Sequence, residues 1–230
     1  MQEFYFPAFL DLRGQECVVV GGGEVAAGKV LGLLPCGARV RVISPEAHPH
    51  IRRLAGRGTI RWESRDYRSG DLDGAFLAVA ATDEPAVNDA VYRDAVAGRV
   101  LVNVVDVPDR CQFVYGAIFR RGRMQVAIST GGASPALASR VKAELGRALG
   151  VEYGQIVNAY RRLRGYVRRR IPTVEGRKRF WLQLVMRDDA LDLLRAGRRA
   201  DAEALLRQAV DTWQDPGDTA AAGQAERAVR

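Results

Sequence analysis

Through the first half of the chain, short continuous runs of apolar and β-branched residues alternate with stretches in which apolar positions recur every three or four residues. Residues 17–20 (CVVV) are apolar without alternation, as a strand buried on both faces requires, and Val25, Val30, Leu33 and Leu34 follow at helical spacing. Residues 39–43 (RVRVI) read as a second parallel strand, 51–54 as a short helix, 59–63 as a third strand and 74–81 (GAFLAVAA) as a fourth. A helix over 85–97 and a fifth strand over 100–105, with Asp106 at its end, complete a repeated β-α grammar. After Pro108 the pattern changes. Residues 113–119 and 124–128 predict a hairpin around the basic turn 120–123, then a helix with Ser134 as N-cap, Pro135 at its first position and Gly150 after its last turn. Leu137, Val141, Leu145 and Leu149 share one face of that helix. A hairpin and one helix cannot bury both their faces, so the segment is expected to pack on a second copy.

The link between first strand and first helix is G-x-G-x-x-A: Gly21 for a sharp turn, Gly23 for close approach of backbone to a pyrophosphate, Ala26 for tight helix packing. Free amides at the helix start suit a diphosphate. Glu46, about 20 residues past the glycines, is placed to take the adenosine ribose hydroxyls, which favours NAD over NADP. Arg39 and Arg41 argue the other way if either side chain reaches a 2′-phosphate. Loops at strand carboxyl ends line the crevice of such a sheet, so Gly21, Gly22, Gly23, Glu24, Val25, Ser44, Pro45, Glu46, Thr82 and Asp83 are the expected cofactor contacts. Thr82 or Asp83 would also cap the helix that follows. Asn103 and Asp106 place two polar groups where substrate and nicotinamide would meet, and Asn103 joins the cofactor set.

Composition narrows the partners. With 47% hydrophobic residues the 230-residue chain can fill a core, and Cys17, Cys36 and Cys111 are odd in number and widely spaced, as for reduced thiols. No run approaches a membrane span, the amino terminus has no leader pattern, and a cytoplasmic protein is expected. His48 and His50 have no ligand-spaced cysteines or carboxylates around them, so they read as a turn and no metal site is expected. The net charge of +8 calls for an acidic partner. Nucleic-acid recognition motifs are missing, which leaves an acidic small molecule. Residues 151–213 read as helical and strongly basic, with Arg161, Arg162, Arg164, Arg168, Arg169 and Arg170 close together; a solvated face is the plain alternative. The tail 214–230 is small and polar, and is expected to be frayed.

The strings GGGEVA, SPE, AATDE, NVVD, STGGASPALA and RRLRGYVRRRIPTVEGRKRFW, in this order, resemble the precorrin-2 dehydrogenase / sirohydrochlorin ferrochelatase family, the amino-terminal module of sirohaem synthase. One departure is Gly28, where the family usually has arginine. The resemblance implies an α/β chain: a Rossmann-type parallel sheet binding NAD (1–112), a β-hairpin/helix dimerisation segment (113–150) and a small helical domain (151–213). It implies a homodimer that oxidises precorrin-2, which carries many carboxylates, to sirohydrochlorin. It matches Asp106 to the family's principal catalytic acid, with Ser129, Thr130, Arg161, Arg164 and Arg168 as candidates for substrate contact. Some members also insert ferrous iron, which here would sit on the tetrapyrrole nitrogens while Asp106 removed their protons; the sequence leaves that open. A dimeric NAD sensor whose basic end binds nucleic acid or protein is the non-enzymatic alternative.

Overall fold

The computed structural model describes residues 5–216. Its first unit is built on a parallel sheet of five strands, β1 (Glu16–Val20), β2 (Arg39–Ile43), β3 (Arg61–Glu63), β4 (Leu77–Ala80) and β5 (Leu101–Val104), in the order β3-β2-β1-β4-β5. Alternate residues of the central strands enter different cores. Cys17, Val19, Val42 and Val79 pack with Ala26, Val30 and Leu33 of α1 (Glu24–Leu33) and Ile51 of α2 (Pro49–Gly56). Val18, Val20, Ile43, Ala78, Val102 and Val104 pack with Val91 and Ala95 of α3 (Pro85–Gly98). Two covered faces are the physical reason for runs without alternation.

The sheet's amino-terminal half is tied by charge. Arg41 lies at mid-strand, and its guanidinium donates to Glu16 Oε1 (3.0 Å) and to the Asp71 carbonyl (2.6 Å). Arg39 pairs in register with Glu16 at the amino end of β2, away from the carboxyl edge. Neither arginine therefore serves a 2′-phosphate, and the counterargument to Glu46 falls. Asp71 is the hub of the adjoining loop: Arg65 donates to both its oxygens at 2.7 Å, and the Arg68 amide donates to Oδ2 at 2.7 Å.

The chain divides between Tyr115 and Gly116, later than the expected boundary at 112. Residues 113–116 are not strand either: the first hairpin strand, β6, is Ala117–Arg121, antiparallel to β7 (Met124–Ile128). Phe113 instead packs on the first unit's core, and its carbonyl accepts from Asn103. In the second unit the hairpin and helical segments form one body. Ser134 caps α4 (Pro135–Ala148) by accepting from the Leu137 amide at 3.2 Å. Arg121 closes the other end, donating to the carbonyls of Gly146 and Leu149, both at 3.1 Å. Gly150 follows Leu149, the C-cap of α4, as expected, and is at the same time the N-cap of α5 (Val151–Arg170). Helices α6 (Val174–Val185), α7 (Asp189–Arg195) and α8 (Arg199–Asp211) complete the unit around Ile156, Leu163, Val167, Phe180, Leu194, Leu206 and Val210. Of the tail expected to fray, residues 217–230 lie outside the described residues. Asp215 is held, accepting from Arg179 at 2.7 and 2.6 Å.

Asp71 yields a stability prediction. The Arg65 guanidinium holds its carboxyl below the ordinary value of 3.8, against an opposing push from burial. A folded-state pKa below the unfolded one stabilises fully above the unfolded value and is lost as pH falls through the folded value. Asp71→Asn should cost about 1.5–3 kcal/mol at neutral pH, the range for a hydrogen bond to a charged group, in urea unfolding. The gap to wild type should narrow below pH 3.8. A gap independent of pH would assign the loss to packing instead.

Candidate functional site

The carboxyl ends of β1, β2 and β4 meet at a cleft of about 680 Å3, lined by Gly21, Gly22, Gly23, Glu24, Val25, Ser44, Pro45, Glu46, His48, Asp66, Tyr67, Thr82, Asp83, Glu84 and Val87 among others. Each of the three glycines meets a different demand. Gly21 has φ +118, and a Cβ there would lie 2.1 Å from the Ala81 carbonyl oxygen, so the turn after β1 touches the end of β4. Its amide donates to the Ile43 carbonyl at 2.9 Å. At Gly22 a Cβ would lie 1.9 Å from the Glu46 carbonyl oxygen and 2.7 Å from Ser44 Oγ. The loop after β2 thus crosses directly over this residue, and His48 donates its amide to the Gly22 carbonyl at 2.7 Å. A Cβ at Gly23 would meet no atom within 4 Å. That residue is the N-cap of α1, and no side chain caps the helix. The amides of its first turn face a space that the protein leaves open, the geometry a diphosphate fits.

All the sequence-derived cofactor residues line this cleft except Asn103. Asn103 is buried on the same face of β5 as Leu101, where its amide donates to the Phe113 carbonyl (2.9 Å) and to Cys111 Sγ (3.2 Å). Its polar group braces the segment after β5 and is not presented to the crevice. A polar residue inside a strand signals a bonded partner as well as it signals a ligand. Neither Thr82 nor Asp83 caps α3: Glu84 occupies the N-cap without a side-chain bond. The Thr82 hydroxyl donates to Asn88 Oδ1 (2.9 Å) and accepts from the Glu84 amide (3.2 Å), which shapes the loop one turn earlier. His48 is the N-cap of α2, with Nδ1 accepting from the His50 amide at 3.2 Å. Asp66 and Tyr67 were missed by sequence reasoning. They follow β3, and the rule about carboxyl-end loops would have found them. Tyr67 donates to Asp94 at 2.8 Å, and burial followed by that carboxylate pushes its hydroxyl well above the usual phenol range.

Asp106 follows β5 at the same carboxyl edge of the sheet but outside the cleft lining. Its φ of +60 is left-handed, a conformation Asp tolerates better than most residues. The side chain is exposed and makes no hydrogen bond or ion pair among the described residues. The loop that carries it is braced from below: Cys111 Sγ lies 3.2 Å from the Val104 carbonyl and 3.3 Å from that of Val107. Lys29, which sequence reasoning passed over, sits with Nζ 3.9 Å from the centroid of the Tyr115 ring. Burial pulls its pKa down, and the Asp106 carboxylate opposes that shift.

In the second unit, Ser129 Oγ accepts from the Gly131 amide (3.2 Å) and Thr130 Oγ1 from the Ser134 amide (3.1 Å), so both hydroxyls shape the turn before α4. Arg164 and Arg168 of α5 line one concavity together with Arg177 and Trp181 of α6; Arg161 is exposed and does not line it. Among the described residues there is no cluster of metal-ligating side chains and no helix long and apolar enough to cross a membrane.

Comparison with known proteins assigns three consecutive segments. Residues 8–117 match the family described as putative NAD(P)-binding, 121–148 the sirohaem biosynthesis protein central family, and 152–210 the sirohaem synthase dimerisation region. A sirohaem synthase of Methylococcus capsulatus is 42% identical over 207 residues, covering 90% of this chain and 44% of the relative. One from Chromobacterium violaceum is 39% identical over 224 residues, covering 97% of this chain and 45% of the relative. The chain thus spans less than half the length of these relatives. A solved structure titled SirC, precorrin-2 dehydrogenase, is similar with a TM-score of 0.72 at 26% identity, over 91% of this chain and 100% of that one. With an NAD(P)-binding domain, a sirohaem central segment and a dimerisation region in succession, the chain belongs to the precorrin-2 dehydrogenase / sirohaem synthase amino-terminal family.

Proposed function

We propose that this chain is an NAD-dependent precorrin-2 dehydrogenase, oxidising precorrin-2 to sirohydrochlorin with release of NADH and a proton. The observation that carries this reading is Asp106, an exposed carboxylate in left-handed backbone at the sheet edge where the dinucleotide cleft opens. A sensor of NAD has no use for a proton acceptor there, and that disfavours the non-enzymatic alternative.

When bound, NAD+ supplies the hydride acceptor. The chain's own residues hold and orient it: the first-turn amides of α1 take the diphosphate above the open Cα of Gly23, and Glu46 accepts from the adenosine ribose hydroxyls. Asp106 takes the proton that leaves the macrocycle as two electrons depart with the hydride. The Lys29 ammonium and that carboxylate attract each other electrostatically, which offsets part of the cost of burying Lys29. Iron insertion by the same protein would use Asp106 for the pyrrole protons, with ferrous iron as substrate. In the same reading the protein is a cytoplasmic homodimer: α4 fully buries only Ala138 and leaves Leu137 50% exposed, an apolar face suited to a second copy.

Two predictions concern the cofactor. Gly23→Val should fold close to wild type, because a Cβ there meets no protein atom within 4 Å, and should lose NAD+ binding in calorimetry. Gly22→Ala should unfold earlier on heating, because its methyl must displace the Glu46 carbonyl. Equal melting of the two variants would show that the loops cross elsewhere. Wild type should bind NAD+ more tightly than NADP+ by roughly tenfold or more, because the 2′-phosphate would face Glu46; equal affinities would remove Glu46 from the ribose site.

A third prediction concerns the chemistry. Asp106→Asn keeps the size of the side chain but removes the proton acceptor. Turnover of precorrin-2 with NAD+ should fall by about a hundredfold or more, with NAD+ affinity and melting temperature unchanged. Turnover near wild type, or a loss that tracks stability, would eliminate Asp106 as the base.

A further inference from the structure

Consecutive residues of α3 grip two different loops. Asn88 holds the loop after β4: its Oδ1 accepts from the Thr82 hydroxyl (2.9 Å), and its Nδ2 donates to the Thr82 carbonyl (2.9 Å). Thr82 lines the dinucleotide cleft. Asp89, the next residue, forms an ion pair with Arg110, which ends the 3-10 turn Pro108–Arg110 in the loop that bears Asp106. The same guanidinium lies 5.7 Å from the centroid of the Tyr92 ring. Asp89 and Tyr92 are three residues apart, so both project from one face of α3.

The remaining ties of the Asp106 loop are local. The Val107 amide donates to the Val104 carbonyl (3.2 Å), the Arg110 amide to the Val107 carbonyl (3.0 Å) and the Cys111 amide to the Pro108 carbonyl (3.0 Å). Val107 packs on the core that includes Val91 and Ala95 of α3, which anchors the middle of the loop. Among the described residues, the member of 106–110 whose side chain hydrogen-bonds a different element is Arg110. Asp106 itself has φ +60, a sparsely populated conformation that persists where the surroundings hold it. The ion pair is open to water, with side chains 38% and 45% accessible. So exposed a pair adds little to the stability of the whole fold, yet it restrains a short loop whose local opening is easy.

We propose that Arg110 and Asp89 are positioning residues for the proton-transfer step: their latch to α3 keeps the Asp106 loop in place relative to the cofactor loop that Asn88 holds from the adjacent position. Tyr92 supplies a second contact to the guanidinium. Neither Arg110 nor Asp89 lines the dinucleotide cleft, so their effect on the chemistry passes through Asp106. That consequence rests on the function proposed above; the restraint on the loop rests on the ion pair and the ring contact alone. Reaction rates fall steeply when a reacting group is misplaced, so a loop released from α3 lowers turnover without lowering affinity for NAD+.

Amide hydrogen exchange over residues 104–112 of the full chain reads the loop directly, and turnover of precorrin-2 with NAD+ reads the consequence. Arg110→Gln and Asp89→Asn should each speed exchange in this segment and lower kcat by about two- to fivefold, the scale of one exposed charge pair. KM for both substrates and the melting temperature should stay as in wild type. Arg110→Lys, which keeps the cation, should recover part of the loss. Asp89→Asn/Arg110→Gln together should be no slower than Arg110→Gln alone, because the two partners share one interaction. High salt should narrow the difference in exchange between wild type and the single variants. Arg198→Gln, which breaks an exposed ion pair with Asp201 on α8, should change neither readout. Unchanged exchange in both single variants, or losses that multiply in the double variant, would overturn the latch. Faster exchange with undiminished turnover, or turnover lost in step with melting temperature, would overturn the positioning role. Wild type unable to oxidise precorrin-2, with exchange following the expected pattern, would refute the dehydrogenase reading and leave the latch standing.

Discussion

The near contact between Gly22 and the Glu46 carbonyl sets the geometry of the cofactor cleft. Because the strands are parallel, the ends of β1, β2 and β4 reach one edge together, and the loops that leave them must share a small space. The turn after β1 solves this by shedding side chains. Gly21 lies against the end of β4 and Gly22 against the loop after β2, so three chain segments interlock through backbone alone. Rigid packing on those two sides is what leaves the third side, at Gly23, open in a fixed direction. Residues spread from 21 to 83 in the sequence thereby line a single cleft.

Charge serves different ends in the two units. In the first, Arg41 and Arg65 are surrounded by Glu16, Glu63 and Asp71, and join neighbouring strands to the loop after β3. Such groups stabilise because each hydrogen bond to a charge is satisfied and partly shielded from water. In the second, part of the arginine set is satisfied internally and part is left without acidic partners. The excess of +8 is therefore not a uniform coat. It includes a local cluster at one concavity, lined by Arg164, Arg168 and Arg177 with no carboxylate among its lining residues.

The position of Asp106 depends on groups packed behind the loop that carries it. Its left-handed backbone follows a strand whose buried asparagine grips the returning chain at Phe113, and the thiol of Cys111 fills the loop from beneath. This arrangement projects one carboxylate outward while keeping the backbone that bears it in a sparsely populated conformation. Lys29, half-buried beside Tyr115, gives that carboxylate a cationic neighbour from α1, the same helix whose amino end faces the cofactor cleft.

Local pattern alone determined the five parallel strands, the glycine turn, the Ser134 cap with Pro135 after it, and the residues at the carboxyl edge. These follow from short-range sterics, periodicity and the fact that a doubly covered strand has no polar face. Glu46 and Asp83 were legible for that reason, since each is a strand end in a parallel sheet. Tertiary structure decided the rest. Whether Asn103 points to a ligand or to the carbonyl of Phe113 depends on a partner in the returning chain. Whether Arg41 reaches the cleft depends on Glu16 and Asp71, 25 and 30 residues away in sequence. Which arginines of α5 stay unpaired depends on where the carboxylates of α8 come to lie, and that is how Arg162 differs from Arg164. Residue types announce what a group is able to bond; only the folded chain determines which partner is within reach.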